Sequence, residues 1–188
     1  MTKIVLVRHG KPDFNTSMWI DGLSFSDALT KYRESSVTSR PKDGFVFSDE
    51  VNTGYFISSE LQRAKDSLML FTGEEAVTSA FLNEAELPHP DKLLFPFRWS
   101  TLIVICRMGW LLGYRSNAPG IRSDKERARK ASQLLIRLAS QHGSVFVFGH
   151  GVMNRLISSE LKKQGWFIQL KTGDGYWGST TLQLKEQP

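Results

Sequence analysis

The chain has 188 residues, a net charge of +5 and a pI near 9.4, with 40% hydrophobic and 23% charged residues. That is the composition of one ordinary globular domain with a substantial core, and residues 1–188 read as a single unit. One cysteine, Cys106, excludes an intramolecular disulfide and a cysteine-rich metal site, and no metal or other cofactor is expected. The densest basic stretch, residues 122–130, is broken by Asp124 and Glu126 and lies on a helix with an apolar stripe, so a nucleic-acid surface is not expected either.

Taken in chain order, residues 2–7 read as an apolar strand that ends in Arg8-His9-Gly10. This run is too short for a signal peptide, and a cytoplasmic location is the expectation. A polar, aromatic loop follows over 11–22, then a short helix over 24–34 and a Ser/Arg/Pro loop over 35–42. Residues 44–48 read as a short strand or buried turn. A strand over 55–59 leads into a helix over 61–71, with Ser58 or Ser59 as its cap. A third strand is expected over 77–82, ending at Asn83-Glu84, and the prolines of 87–96 impose a loop.

Residues 97–112 are strongly apolar but interrupted by Arg107. They fall short of the roughly 18–20 clean apolar residues of a membrane span. A buried helix bounded by Gly113 is the reading, and no membrane partner is expected. Residues 114–121 form a loop, and Ser123 caps a long amphipathic helix reaching about residue 141. A strand over 144–148 ends in Gly149-His150-Gly151, a helix covers 154–163, and a last strand covers 180–184 after a turn at 173–175. Strands alternating with helices predict a three-layer α/β/α sandwich with a mostly parallel central sheet.

Two of the 4 histidines, His9 and His150, end strands in this way. In open α/β sheets that edge is where ligands bind. Arg8 stands beside the first histidine, and Arg63 lies at the start of a helix near the same edge. Arginine binds phosphate oxygens through a planar fork, and a neutral imidazole is a competent nucleophile near pH 7. Attack by His9 on phosphorus gives a phosphohistidine, with His150 stabilising charge on the oxygens. The leaving oxygen needs a proton, and Glu84, at the end of its segment, is placed to supply it, with Glu86 as the competitor. Gly10 and Gly151 let the backbone approach a phosphate, and Asn15 is a candidate phosphate contact at the mouth of the site. Trp19, Phe95, Phe97, Trp99, Trp110 and Tyr114 are candidates for an apolar specificity wall, with core packing as the alternative.

With Arg8-His9-Gly10, Ser58-Ser59-x-Leu61-x-Arg63-Ala64, Leu82-Asn83-Glu84 and Gly149-His150-Gly151 in this order, the chain resembles the histidine phosphatase superfamily, the phosphoglycerate-mutase-like proteins. The resemblance implies the same sandwich fold and catalytic roles for Arg8, His9, Arg63, Glu84 and His150. Gly-His-Gly at the second histidine is similar to the mutase and small-phosphatase branch. Glycolytic mutases are longer and follow the acid with a glycine-rich aromatic segment. Here the sequence is Ala85-Glu86-Leu87-Pro88, which favours a phosphatase acting on a phosphorylated small molecule or a phosphoprotein, phosphohistidine protein included. A mutase and a non-catalytic module that binds a phosphorylated ligand are the alternatives, and oligomeric state is left open.

Overall fold

The computed structural model describes residues 2–21, 25–40, 54–75, 77–90, 93 and 95–185. In chain order the strands and helices are β1 (Lys3–Arg8), β2 (Trp19–Ile20), α1 (Phe25–Glu34), β3 (Tyr55–Ser58), α2 (Gln62–Thr72), β4 (Phe97–Arg98), α3 (Trp99–Leu111), α4 (Ile121–His142), β5 (Ser144–Gly149), α5 (Gly151–Lys163), β6 (Trp166–Lys171) and β7 (Ser179–Leu184). The main sheet has the order β3-β5-β1-β7-β6. Strands β3, β5 and β1 are mutually parallel, while β7 and β6 complete one side as an antiparallel ribbon.

The central strands are apolar on both faces, as a sheet covered from both sides requires. Ile4 and Leu6 of β1, with Val145 and Val147 of β5, pack under Leu135 of α4 and Ile157 of α5. The alternate residues Val5, Val7, Phe146 and Phe148 face Leu68 of α2. This gives the three-layer α/β/α sandwich. Because β1 and β5 are parallel neighbours with Arg8 opposite Gly149, they deliver Arg8-His9 and Gly149-His150 to the same sheet edge. A separate cluster outside the sheet joins Ile20, Phe25, Leu29, Leu87, Trp99 and Leu102. It packs α1 and α3 together beside that edge.

Several local expectations change. The strand expected over 77–82 is a single parallel bridge, Ser58 to Thr78, followed by a 3-10 turn at Ala80–Leu82. The Ser79 hydroxyl accepts from Phe81 N and turns the chain before a strand can extend. Neither Ser58 nor Ser59 caps α2, whose N-cap is Leu61 with no side-chain bond. Ser58 donates to the Ser59 carbonyl, while the Ser59 hydroxyl lies against His150 and also accepts the N–H of Leu61 itself at 3.3 Å, one step ahead of the helix. The long amphipathic helix starts at Ile121 with Gly120 as N-cap, so Ser123 lies in its first turn.

Residues 97 and 98 are strand β4 and pair with β2, and α3 is buried on one side only. Val104, Ile105, Met108 and Leu111 of that helix are exposed. Strand β6 was not expected: only Trp166 of its six residues is buried, so it carries no alternating pattern to read. The segment at 44–48 lies outside the described residues. Among the described residues, no helix is long and apolar enough to cross a membrane.

Candidate active site

The four expected residues converge. His9 follows β1, and His150 lies between β5 and α5, with ring centroids 5.1 Å apart. Both rings are buried, at 2% and 0% exposure. His9 Nδ1 lies 2.7 Å from the Gly10 carbonyl, which can only accept, so Nδ1 carries the proton. Nε2 is therefore the unprotonated nitrogen, and Arg63 Nε–H donates to it at 3.3 Å. The two contacts agree on one tautomer. Burial first, then the charge of Arg63, with Arg8 adding to it, pushes His9 from 6.5 down to about 3, while its bond to Gly10 pulls the other way. His150 is likewise held well below the ordinary imidazole value, by burial first and then by Arg63.

Arg63 is 2% exposed in the first turn of α2. Its Nη1–H groups donate to the Tyr32 and Arg33 carbonyls at 3.3 and 3.2 Å, and the guanidinium carbon lies 4.8 Å from the Tyr32 ring centroid. No carboxylate forms an ion pair with it among the described residues. Arg8 donates from Nη1 to the Asp174 carbonyl at 2.8 Å and lies over the Tyr176 ring at 4.5 Å. His150 is positioned by Ser59, whose hydroxyl lies 2.6 Å from Nε2. Arg8 Nε and His150 Nδ1 are buried and have no hydrogen-bond partner among the described residues. The cluster is thus rich in cationic and donor groups, with unmet polarity at its centre.

Glu84 sits across from it at the start of α5. Its Oε1 accepts Ala85 N and Met153 N, each at 3.0 Å, and Oε2 accepts Val152 N at 3.4 Å. A carboxylate at a helix N-terminus is a favourable placement, and the longer contact leaves Oε2 the less engaged oxygen. The backbone before it is held as firmly. Arg127 donates to the Asn83 and Glu84 carbonyls and is itself paired with the buried Asp124 at 2.6 Å. Trp110 Nε1 donates to the other oxygen of Asp124 at 2.8 Å. Glu86 pairs with Arg33 at 3.3 Å on the exposed rim.

Arg8, Arg63, Glu84 and Gly151 line one cavity of about 540 Å³. Its far wall is Leu29, Tyr32, Leu87, Trp99, Ile103 and Val104, with Glu86 and Arg107 also lining it. Of the aromatic candidates only Trp99 lines this wall. Trp110 is buried on Asp124, and Trp19 is exposed under Arg98. Asn15 is exposed, with its Oδ1 accepting Ser17 N, and Thr16 takes its place in the lining. Gly10 has a packing reason to be glycine: a Cβ there would lie 2.5 Å from Val37 Cγ1 and 2.7 Å from Trp177. Its N–H is already taken by the Ser67 hydroxyl. Gly151 has ordinary space, with Arg8 Nε 3.6 Å from a built Cβ.

Sequence reasoning missed Ser59 as the partner of His150, and missed Tyr176, whose ring lies 5.6 Å from His9. It also missed Arg107 and Arg127. Tyr176 lies between the unforeseen strand β6 and β7, so no local signal marked it.

No protein-family profile matches the sequence, and no curated protein matches it. Solved structures do match in fold. A mycobacterial glucosyl-3-phosphoglycerate phosphatase in complex with VO3 superposes with a TM-score of 0.58 at 19% identity, over 97% of this chain and 93% of that one. A mutant phosphoserine phosphatase from Entamoeba histolytica in complex with phosphoserine gives a TM-score of 0.56 at 19% identity, over 96% and 90% of the two chains. The chain therefore has the fold of these phosphatases, the sandwich that the sequence resemblance implied.

Proposed function

We propose that this protein is a phosphatase that hydrolyses a phosphomonoester through a phosphohistidine on His9. The observation that carries this reading is Arg63, a buried guanidinium set against the unprotonated nitrogen of His9, with no carboxylate partner among the described residues. A buried charge without a counter-ion is costly, and a phosphoryl group arriving beside His9 supplies that counter-ion. Arg8 and Arg63 then grip the nonbridging oxygens. His150, fixed by Ser59, adds a donor to the charge that spreads over them.

Arg63 Nε–H occupies the His9 Nε2 lone pair. As the phosphate draws that donor to its own oxygen, the lone pair is freed. The N–P bond forms while the P–O bond to the leaving alcohol breaks, and Glu84 gives that oxygen its proton. Glu84 then accepts a proton from the water that attacks phosphorus, releasing inorganic phosphate and restoring His9. Charge is handled by arginine and histidine throughout, and on this reading turnover is independent of metal. The fold shared with phosphatases that act on phosphoserine and glucosyl-3-phosphoglycerate supports a phosphorylated small molecule, and so does the size of the cavity. The whole chain acts as one domain, and its single free Cys106 fits the reducing cytoplasm.

A panel of phosphomonoesters and one phosphohistidine protein, assayed with and without EDTA, tests the proposal. Release of inorganic phosphate that EDTA does not alter is the expected result. Isomerised product would identify a mutase, and saturable binding without turnover would identify a binding module.

A further inference from the structure

Residues 92–123 contain four arginines and one lysine and neither Asp nor Glu. The chain holds 24 basic and 19 acidic residues, so its whole excess of +5 lies in this stretch and the remainder is balanced. The same stretch forms α3. Trp99, Leu102, Cys106 and Trp110 of that helix face the core. At helical spacing its opposite side presents Val104, Ile105, Met108 and Leu111, continued by Leu112 at the C-cap. These five side chains are between 49% and 85% exposed. A helix that is apolar all round is normally covered all round, and contiguous exposed apolar surface marks a docking face. Arg98 stands immediately before the helix and Arg115 shortly after it. Both are exposed, and neither forms an ion pair among the described residues.

Charge decides between the occupants of such a face. A second copy would set the face against itself, bringing like arginines together with no acid in 92–123 to pair them. An anionic lipid surface meets both features: the acyl boundary takes the aliphatic side chains, and the headgroups take the arginines. Trp19, exposed under Arg98, and Tyr114, exposed beyond the helix, are the aromatic types that settle at headgroup level. Composition excludes a helix that spans a bilayer, whereas one lying in the interface needs only a single apolar side. We propose that the outer face of α3 docks this protein on an anionic bilayer, with Val104, Met108 and Leu112 in the acyl boundary and Arg98 and Arg115 on the headgroups. This goes beyond the phosphatase reading and does not depend on it. Val104 also lines the cavity, so docking sets the rim of the candidate active site beside the bilayer surface.

The test is co-sedimentation of the full chain with phosphatidylcholine vesicles, with and without about one-third phosphatidylserine. The wild type should bind the anionic vesicles about tenfold or more tightly than the neutral ones, and added salt should weaken that binding. The double variant Met108→Asp with Leu112→Asp should lose it. Arg98→Gln with Arg115→Gln should weaken it on the order of twentyfold on anionic vesicles, from two surface cations removed. All four side chains are exposed, so thermal midpoints should stay at the wild-type value. Should a double variant fail to fold, Leu112→Asp alone, at the most exposed of these positions, supplies the comparison and should weaken binding about tenfold. Absence of wild-type binding to anionic vesicles overturns the proposal, and so does undiminished binding by the Asp variants. A dimer in sedimentation analysis that Leu112→Asp disperses also overturns it, and assigns the face to a second copy. None of these outcomes touches the phosphatase reading, which is tested by phosphate release.

Discussion

Arg63 Nε–H points at the unprotonated Nε2 of His9 across 3.3 Å, so the positive group that orders the site also occupies the nitrogen meant to react. Two buried cationic or potentially cationic side chains share this space only because His9 is neutral, which burial and Arg63 ensure. The contact must break when a phosphoryl group binds, and Arg63 must turn its donor to an oxygen. A structure with phosphate or vanadate bound should show Arg63 on the ligand and His9 Nε2 facing phosphorus. A ligand that leaves the Arg63 to His9 contact intact contradicts the role assigned to His9.

Replacing His9 with Ala should lower kcat by several orders of magnitude, because the covalent step loses its nucleophile. Oxyanion binding should largely persist, since Arg8, Arg63 and His150 remain. Steady-state kinetics together with vanadate binding measured by calorimetry check both halves. Activity near the wild-type value would remove the central role of His9.

Stability should depend on pH through the same histidine. Unfolded His9 takes up a proton near its ordinary 6.5, while the folded side chain does so only near about 3. Between these values the unfolded state binds more protons, so stability is full above about 6.5, is lost as the pH falls toward 3, and levels off below. The loss should amount to a few kcal/mol, and His150, shifted in the same direction, adds to it. Denaturation midpoints measured across this range should fall less steeply in His9→Gln than in the wild type. Equal slopes would show that His9 is not the titrating group. The same shift keeps the free nucleophile neutral throughout the working range, so its protonation does not set an acid limb near pH 6.

Glu84→Gln should slow alkyl phosphates far more than p-nitrophenyl phosphate, whose leaving oxygen needs little protonation. Glu86→Gln should lack this selectivity, because Glu86 is paired with Arg33 on the rim. An equal loss on both substrates in Glu84→Gln, or the selective loss in Glu86→Gln, would reassign the acid.

Asp124→Asn should destabilise the fold by about 2 kcal/mol, the cost of leaving the partly buried Arg127 guanidinium without its carboxylate partner. Arg127 would lose the ion pair that sets its grip on the Asn83 and Glu84 carbonyls. Thermal denaturation reads the stability change. A variant as stable as the wild type would show that this buried pair is not holding the segment.

The legible part of the site was the part with local signals. His9 and His150 end short apolar runs that read as strands, and parallel β1 and β5 put both at one edge. Arg63 was readable from the strand and helix around it. The expected strand before Glu84 is absent, yet Glu84 still reaches the site, because Arg127 and the first N–H groups of α5 hold it. Those partners lie over forty residues away in sequence and leave no local pattern. Tyr176, Arg107 and Ser59 were hidden for the same reason. Over 97–112 the composition predicts a buried helix, but composition cannot show which side of a helix meets solvent, and here one side is exposed.

The most direct measurement is to trap the intermediate. Wild-type protein mixed with a radiolabelled phosphomonoester, quenched into alkali within milliseconds and digested, should carry the label on the peptide containing His9, and mass spectrometry should place it on that imidazole. The label should be absent in His9→Ala, and EDTA should leave its yield unchanged. Turnover with no label on His9, or label and turnover that vanish with EDTA and return with a divalent metal, would contradict the account.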